Sequence, residues 1–412
     1  MSLLRLVLLA ASLCSCLLLA PASASPQLLL PHSGLLPDEL MLIVNEDDPL
    51  SRQVAAYYQK ARELPERNVI RLHFAPGRSA LSPDEFMRLR REIEAATPPH
   101  IQAYAVAWTQ PYQVGCMSLT AALAFGFDER FCSRQCGKTA ASPYFNSPTL
   151  YPATELHMRP AMLLAGQDFA QVKALIDRGV AADGSFPTGT AYLLSTADSA
   201  RNVRAAGFAR TAQALAGVFP VEVLHADALT ERNDVLFYFT GVAQVLQLDT
   251  LQFQPGALAD HLTSFGGRLS DSTQMSSLRW LEAGATASYG TVSEPCNHLE
   301  KFPLPALAML FYAGGSTAIE AYWKSVAWPG EGVFIGEPLA RPFAPSWRET
   351  APGEYELHLY SASAGKVQLA FAASPMGPFK PLPLMLALQR GANRLVFSLP
   401  REASGYVKML WK

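Results

Sequence analysis

The 412-residue sequence predicts an α/β fold with a largely parallel sheet, followed by a small antiparallel β-sandwich. Three observations carry that prediction. Strand-like and helix-like segments alternate through the first three quarters of the chain, a pattern that places helices on both faces of a parallel sheet. The pattern then changes after about residue 345 to short alternating runs separated by Gly and Pro turns. No internal repeat is visible.

The elements follow in order. Glu39 to Asn45 reads as a strand, and Val54, Tyr57, Tyr58, Ala61 and Leu64 then fall at helical spacing. Val69 to Phe74 is the next strand. Ser82-Pro83-Asp84-Glu85 combines a cap, a Pro at the first helical position and a Glu that answers the cap, opening a helix with Phe86, Leu89 and Ile93 on one face. Ile101 to Trp108, Met162 to Ala165, a helix over Phe169 to Ile176 and the strand Ala191 to Ser195 continue the alternation. Val221 to Leu224 and Val235 to Thr240 complete it before a motif-rich block. The sandwich strands are Tyr355 to Tyr360, Val367 to Ala373, Arg394 to Ser398 and Tyr406 to Leu410. The domain division is therefore 1–24, 25–345 and 346–412.

The first of these is a signal peptide. Arg5 precedes the apolar run Leu6 to Ala20, which is short of the roughly 20 residues a spanning helix needs, and small residues follow at Ala22-Ser23-Ala24. Cleavage there makes Ser25 the first mature residue and the protein exported, periplasmic or extracellular. A lipoprotein box at Leu13-Cys14-Ser15-Cys16 is the less favoured reading, because Cys is unusual at its second position. No later segment is long and apolar enough to span a bilayer.

A formal net charge of −2 argues against nucleic acid as a partner, and no phosphate loop, dinucleotide fingerprint or HExxH occurs. No cofactor is implied. Cys116, Cys132, Cys136 and Cys296 remain after signal removal, an even number suited to two disulfides in an oxidising compartment. The pairing stays open, with Cys116 one candidate partner for Cys296. Cys132, Cys136, Cys296 and His298 also form a conceivable zinc set, but exported proteins seldom rely on thiolate zinc, and no metal is expected.

The candidate chemistry lies between Pro255 and Pro342. Cys296 and His298 are two apart, so in an extended chain they share a face with Glu294, an arrangement able to activate a thiol. Ser264 with His261 is a second nucleophile and base, though an offset of three makes the pair diverge in a straight strand. Thr240, Gly241, Asp260, Gly266, Gly267 and Glu294 are the expected pocket lining, because ligand sites follow the carboxyl ends of strands.

The blocks PGALADHLTSFGG, AGATASYGTVSEPC, TAIEAYWKSV and IGEPLARPF, with LMLIVNEDDPLSRQVAAYYQKARELPERNVIRL near the start, resemble a family of exported bacterial proteins of unknown function. A remoter resemblance is to gingipain and caspase-like cysteine peptidases, in which one strand ends in His-Gly, the next ends in the nucleophilic Cys, and a Gly-Asp-Pro-Leu-like motif closes the domain. Here Phe237 to Gly241, Leu262 to Gly267 and Gly336-Glu337-Pro338-Leu339 match those places. Thr240 stands where the His belongs and Ser264 where the Cys belongs. The resemblance thus implies a caspase-like fold without the peptidase dyad: a binding or envelope-associated protein, with an envelope partner. The alternative is a hydrolase or peptidase-like enzyme using Cys296 and His298 or Ser264 and His261.

Overall fold

A computed structural model describes residues 26–133, 135–400, 403 and 405–411; the segment expected to be a signal peptide, with Cys14 and Cys16, lies outside the described residues. The chain enters through a short strand, β1 (Gln27–Leu29), and then alternates through β2 (Leu40–Asn45), α1 (Pro49–Ala61), β3 (Val69–Leu72), the two-residue β4 (Ala80–Leu81), α2 (Pro83–Ala96) and β5 (Ala103–Val106). β6 (Gln113–Val114) and β7 (Met117–Ser118) lead through α3 (Leu119–Phe125) and α4 (Pro152–Leu156) to β8 (Ala161–Leu163) and α5 (Phe169–Ala182). A second run comprises β9 (Thr190–Ser195), α6 (Phe208–Ala214), β10 (Val221–His225), β11 (Arg232–Gly241), β12 (Leu251–Leu262), α7 (Leu278–Ala283), β13 (Ala287–Thr291), α8 (Pro305–Ala313), α9 (Ala318–Trp323) and β14 (Gly332–Gly336). The chain ends in β15 (Ser346–Ala351), β16 (Glu354–Ser361), β17 (Gly365–Ala372), β18 (Lys380–Leu388), β19 (Gly391–Ser398) and β20 (Tyr406–Trp411).

The main sheet has ten strands in the order β10-β9-β11-β12-β13-β14-β8-β5-β2-β3. Every neighbouring pair is parallel except β13 with β14. The sheet is thus two parallel halves fused back to back, and each is wound alike. β2 is followed by the edge strand β3 and then by β5 on its other side; β9 is followed by the edge strand β10 and then by β11 on its other side. The repeat that the sequence hides is present in the topology.

Alternation in β2 shows how the sheet is buried on both faces. Leu40, Leu42 and Val44 pack into one cluster with Val54 and Tyr58 of α1 and Ile176 of α5. Met41 and Ile43 enter the opposite cluster with Phe86, Leu89 and Ile93 of α2. Those are the residues whose spacing predicted the helical faces. Ser82 caps α2 by accepting from the Glu85 amide at 3.3 Å, and Asp48 and Asp168 cap α1 and α5 in the same way.

The Gly336-Glu337-Pro338-Leu339 block has a packing role. Glu337, fully buried, receives Arg62 Nε at 3.0 Å and the Tyr58 hydroxyl at 2.7 Å on one oxygen, and Arg62 Nη2 on the other. Arg62 also pairs with Asp183 just past α5. One carboxylate therefore ties β14 to α1, and through Arg62 to the end of α5.

The C-terminal strands form two small sheets, β15-β16-β19 and β1-β20-β17-β18. Leu357, Leu359 and Phe397 of one share a buried cluster with Val367, Leu369 and Val407 of the other. Three features differ from the sequence reading, of which the strand β15 (Ser346–Ala351) opening this region is the first. β18 carries Pro381 and Pro383, which hid it from a propensity reading; it is an edge strand, where a missing N–H costs no ladder bond. Gln27–Leu29 pairs in parallel with Tyr406–Lys408, so a strand from the start of the described residues joins the C-terminal sheet across the expected division at 345.

Candidate functional sites

Each half of the main sheet has one point where the winding reverses, between β9 and β11 and between β2 and β5. Crevices beyond the carboxyl ends of such strands are the usual ligand sites of open α/β sheets. The two reversal points differ sharply in this protein.

The reversal between β9 and β11 holds the sequence-predicted residues, and it is packed shut. β11 and β12 are parallel neighbours, with Thr240 opposite His261 and Gly241 opposite Leu262; Ser264 lies two residues past the end of β12. The segment after β9 folds over them. Thr196 Oγ1 donates to the Gly241 carbonyl at 2.6 Å. A side chain on Gly241 would meet the Arg201 carbonyl oxygen at 2.0 Å, which explains the glycine. Arg201 Nε donates to Thr263 Oγ1 at 3.0 Å, and Arg204 Nη2 donates to the Thr240 carbonyl at 2.6 Å. Thr240, Asp260 and His261 are buried.

His261 is placed as a structural residue. Its Nδ1 accepts from the Trp280 indole at 2.9 Å and its Nε2 meets the Met275 carbonyl at 3.1 Å, so the proton sits on Nε2. Both ring nitrogens are committed, leaving neither to take a proton from Ser264. Burial pushes the ring down from its ordinary 6.5 to about 3, which keeps it neutral. Ser264 is half-buried, and its carbonyl accepts from Thr291 Oγ1 at 2.9 Å. Gly266 and Gly267 form the turn that rests on β13, with the Gly267 amide donating to the Thr291 carbonyl at 2.9 Å. Asp260 is pushed up to about 6 by burial, with Arg204 pulling it the other way.

The second candidate pair is arranged differently from the extended-chain reading. Cys296 and Asn297 both have a φ of 56°, so the segment is a left-handed turn and the period-two rule does not apply to it. Cys296 is bonded to Cys136, and Cys116 to Cys132. Cys296 therefore pairs with Cys136 rather than Cys116. A sulfur in a bridge is neither a thiolate nucleophile nor a zinc ligand. His298 Nε2 meets the Cys136 carbonyl at 2.8 Å, and exposed Glu294 accepts from the Cys296 amide at 2.8 Å. The bridge and its neighbours hold this turn to the loop around Cys136. Among the described residues no group of three His, Cys, Asp or Glu side chains is placed to hold a metal.

The reversal between β2 and β5 is open, and the sequence reading missed it. A crevice of about 620 Å³ lies there. Asp48 and Leu50 follow β2, Pro76 and Gly77 follow β3, Thr109 and Gln110 follow β5, and Gly166 and Gln167 follow β8. Leu269 and Ser270, from the connection between β12 and α7, and Leu278 at the start of α7 close one side. Thr109 Oγ1 bridges both backbone groups of Gly166, donating to its carbonyl at 2.7 Å and accepting from its amide at 2.9 Å. Gln110 donates to Ser270 Oγ, and Gln167 to Glu282 at 2.6 Å. Among the described residues no Lys or Arg stands in these walls, and Asp48 is the only ionisable lining residue. The signal for this site in the sequence was the fold rule alone, since its residues are ordinary loop types.

A comparison with protein-family models and with curated proteins finds no match to this sequence. Among solved structures, one of a protease is similar over 88% of this chain and 97% of its own, with 9% identity and a TM-score of 0.39. That is a remote protease-like similarity, too low to carry an argument about fold detail or activity. Among the described residues no helix is long and apolar enough to cross a membrane.

Proposed function

We propose that this chain is a non-catalytic binding protein of caspase-like architecture, exported and associated with the cell envelope, with a caspase-like α/β domain over 25–345 and a β-sandwich over 346–412 that borrows β1. The observation that carries the binding reading is the crevice of about 620 Å³ at the β2–β5 reversal, to which four successive parallel strands contribute the residues just past their ends. Its walls offer amide, hydroxyl and backbone groups without a basic side chain, which suits a small uncharged polar ligand better than a phosphate or nucleic acid. The two disulfides fit an oxidising compartment.

The hydrolase reading has less support. Cys296 is oxidised, and His261, the base expected for Ser264, donates and accepts within the core. The test is a thermal-shift screen of the mature protein against monosaccharides, small amides and nucleosides, repeated with Ser270→Trp. Ser270 is exposed at the crevice wall, so the indole should fill the crevice and abolish a hit without lowering the unliganded melting temperature. A hit unaffected by Ser270→Trp places the site elsewhere. Hydrolysis of a peptide or ester substrate that is lost in Ser264→Ala overturns the non-catalytic reading.

A further inference from the structure

A second cavity, of about 370 Å³, lies between the α8–α9 region and the C-terminal sheets. Phe311, Phe343, Leu359, Tyr360 and Trp411 line it, and Lys324 is among its lining residues. Lys324 caps the C-terminus of α9 and is 1% exposed. Its Nζ lies 5.1 Å from the Tyr144 ring centroid and 5.0 Å from that of Phe311. Among the described residues its ammonium group has no hydrogen-bond acceptor and no ion-pair partner.

The nearest carboxylate is not free to serve. Glu320, one turn earlier on α9, accepts from the Leu35 amide at 3.0 Å and from the Thr317 amide and hydroxyl at 2.9 and 2.7 Å on one oxygen. The Tyr144 hydroxyl donates to its other oxygen at 3.4 Å. Glu320 is thus the capping carboxylate of α9, and its charge acts on Lys324 only at longer range. Burial pulls the Lys324 ammonium below its usual range despite that charge.

A buried ammonium without an acceptor costs free energy that a bound anion recovers, and two flanking rings favour keeping the cation in place. The remaining walls are mostly apolar and aromatic, with His32, Ser33 and Ser316 as their polar members. We propose that this cleft binds a small carboxylate with an apolar body, its carboxylate paired with Lys324 Nζ and its hydrocarbon lying against Phe311, Tyr360 and Trp411. The cavity volume matches a medium-length acyl chain and falls at the lower end of the range for small-molecule sites. The site is separate from the crevice at the β2–β5 reversal and stands or falls independently of it.

The experiment titrates the mature protein with sodium octanoate and, separately, with 1-octanol, following heat release and tryptophan fluorescence. Octanoate should saturate, with octanol weaker by about tenfold or more, the equivalent of one well-made ionic contact. Lys324→Met, checked for folding by its thermal melt, should bring octanoate down to the octanol level. Trp411→Ala, at a position 57% exposed, should weaken both ligands together. Equal binding of octanoate and octanol, no saturation below the micellar concentration, or unchanged octanoate affinity in folded Lys324→Met would each overturn the proposal. Should Lys324→Met not fold, the comparison of the two ligands on the unmodified protein still decides.

Discussion

Asp260 Oδ1 and Arg204 Nη1 lie 2.6 Å apart where solvent does not reach either side chain. The contact is ionic without hydrogen-bond alignment, since both Asp260 oxygens lack a hydrogen-bonded partner. It joins the segment after β9 to the ends of β11 and β12, and so seals the crevice that the motif alignment would have opened. Removing one partner strands the other charge. Arg204→Met alone should therefore destabilise by about 3–5 kcal/mol, whereas Arg204→Met with Asp260→Leu should recover most of that loss. Urea unfolding of the three proteins measures it; additive losses in the double variant would contradict the pairing.

The pH dependence of stability should carry the signature of His261. Its ring is held near 3 in the folded protein against an ordinary 6.5. As pH falls through 6.5 the unfolded chain takes up a proton that the folded chain refuses, so stability present above 6.5 is lost progressively down to about 3. Asp260 acts in the opposite sense between about 6 and 3.8, because the folded protein protonates it first. Replacing His261 by Gln removes the first term only. The stability of the native protein relative to His261→Gln should fall from pH 7 to pH 4, by at most about 1.4 kcal/mol per pH unit. Parallel pH profiles of the two proteins would rule out a buried neutral imidazole.

Gly179 on α5 faces Glu337 so closely that a methyl group there would meet the Glu337 Cγ and Oε2 at 2.5 Å. Glu337 cannot swing aside without releasing Arg62 and Tyr58. Gly179→Ala, which in an open helix would stabilise, should here cost about 1–3 kcal/mol through overpacking. A raised melting temperature would mean the carboxylate is less fixed than its contacts indicate.

The bridge between Cys136 and Cys296 spans 160 residues of sequence. Cys136→Ser with Cys296→Ser should lower stability by about 2–4 kcal/mol. Thiol titration of the denatured, unreduced mature protein should find none of the four described cysteines reactive. A rapidly reacting thiol at Cys296 in native protein would restore it as a nucleophile.

How far the sequence could be read follows from what each residue's neighbours contribute. The alternating strands and the faces of α1 and α2 were legible because hydrophobic spacing is local: Phe86, Leu89 and Ile93 are buried as their spacing requires. The juxtaposition of Thr240 with the end of β12 was legible too, because two motifs each finish a strand. The state of that site was not. Nothing near His261 in sequence announces that Trp280 and Met275 will occupy its nitrogens, or that Arg201 will roof Gly241. Likewise Glu337 was visible only as part of a motif, while its partners Tyr58 and Arg62 lie far upstream. The open crevice was missed because Asp48, Thr109 and Gly166 come together only when four strand ends align.

The pairing of β1 with β20 sets an order of events for synthesis. Gln27–Leu29 has its sheet partner in Tyr406–Lys408, far later in the sequence. β1 must wait for β20 to be made, so the sheet they share cannot finish folding before that distant strand emerges. A chain without β20 leaves both β1 and β17 with an unmatched edge, so one late strand completes a sheet begun as far back as Gln27.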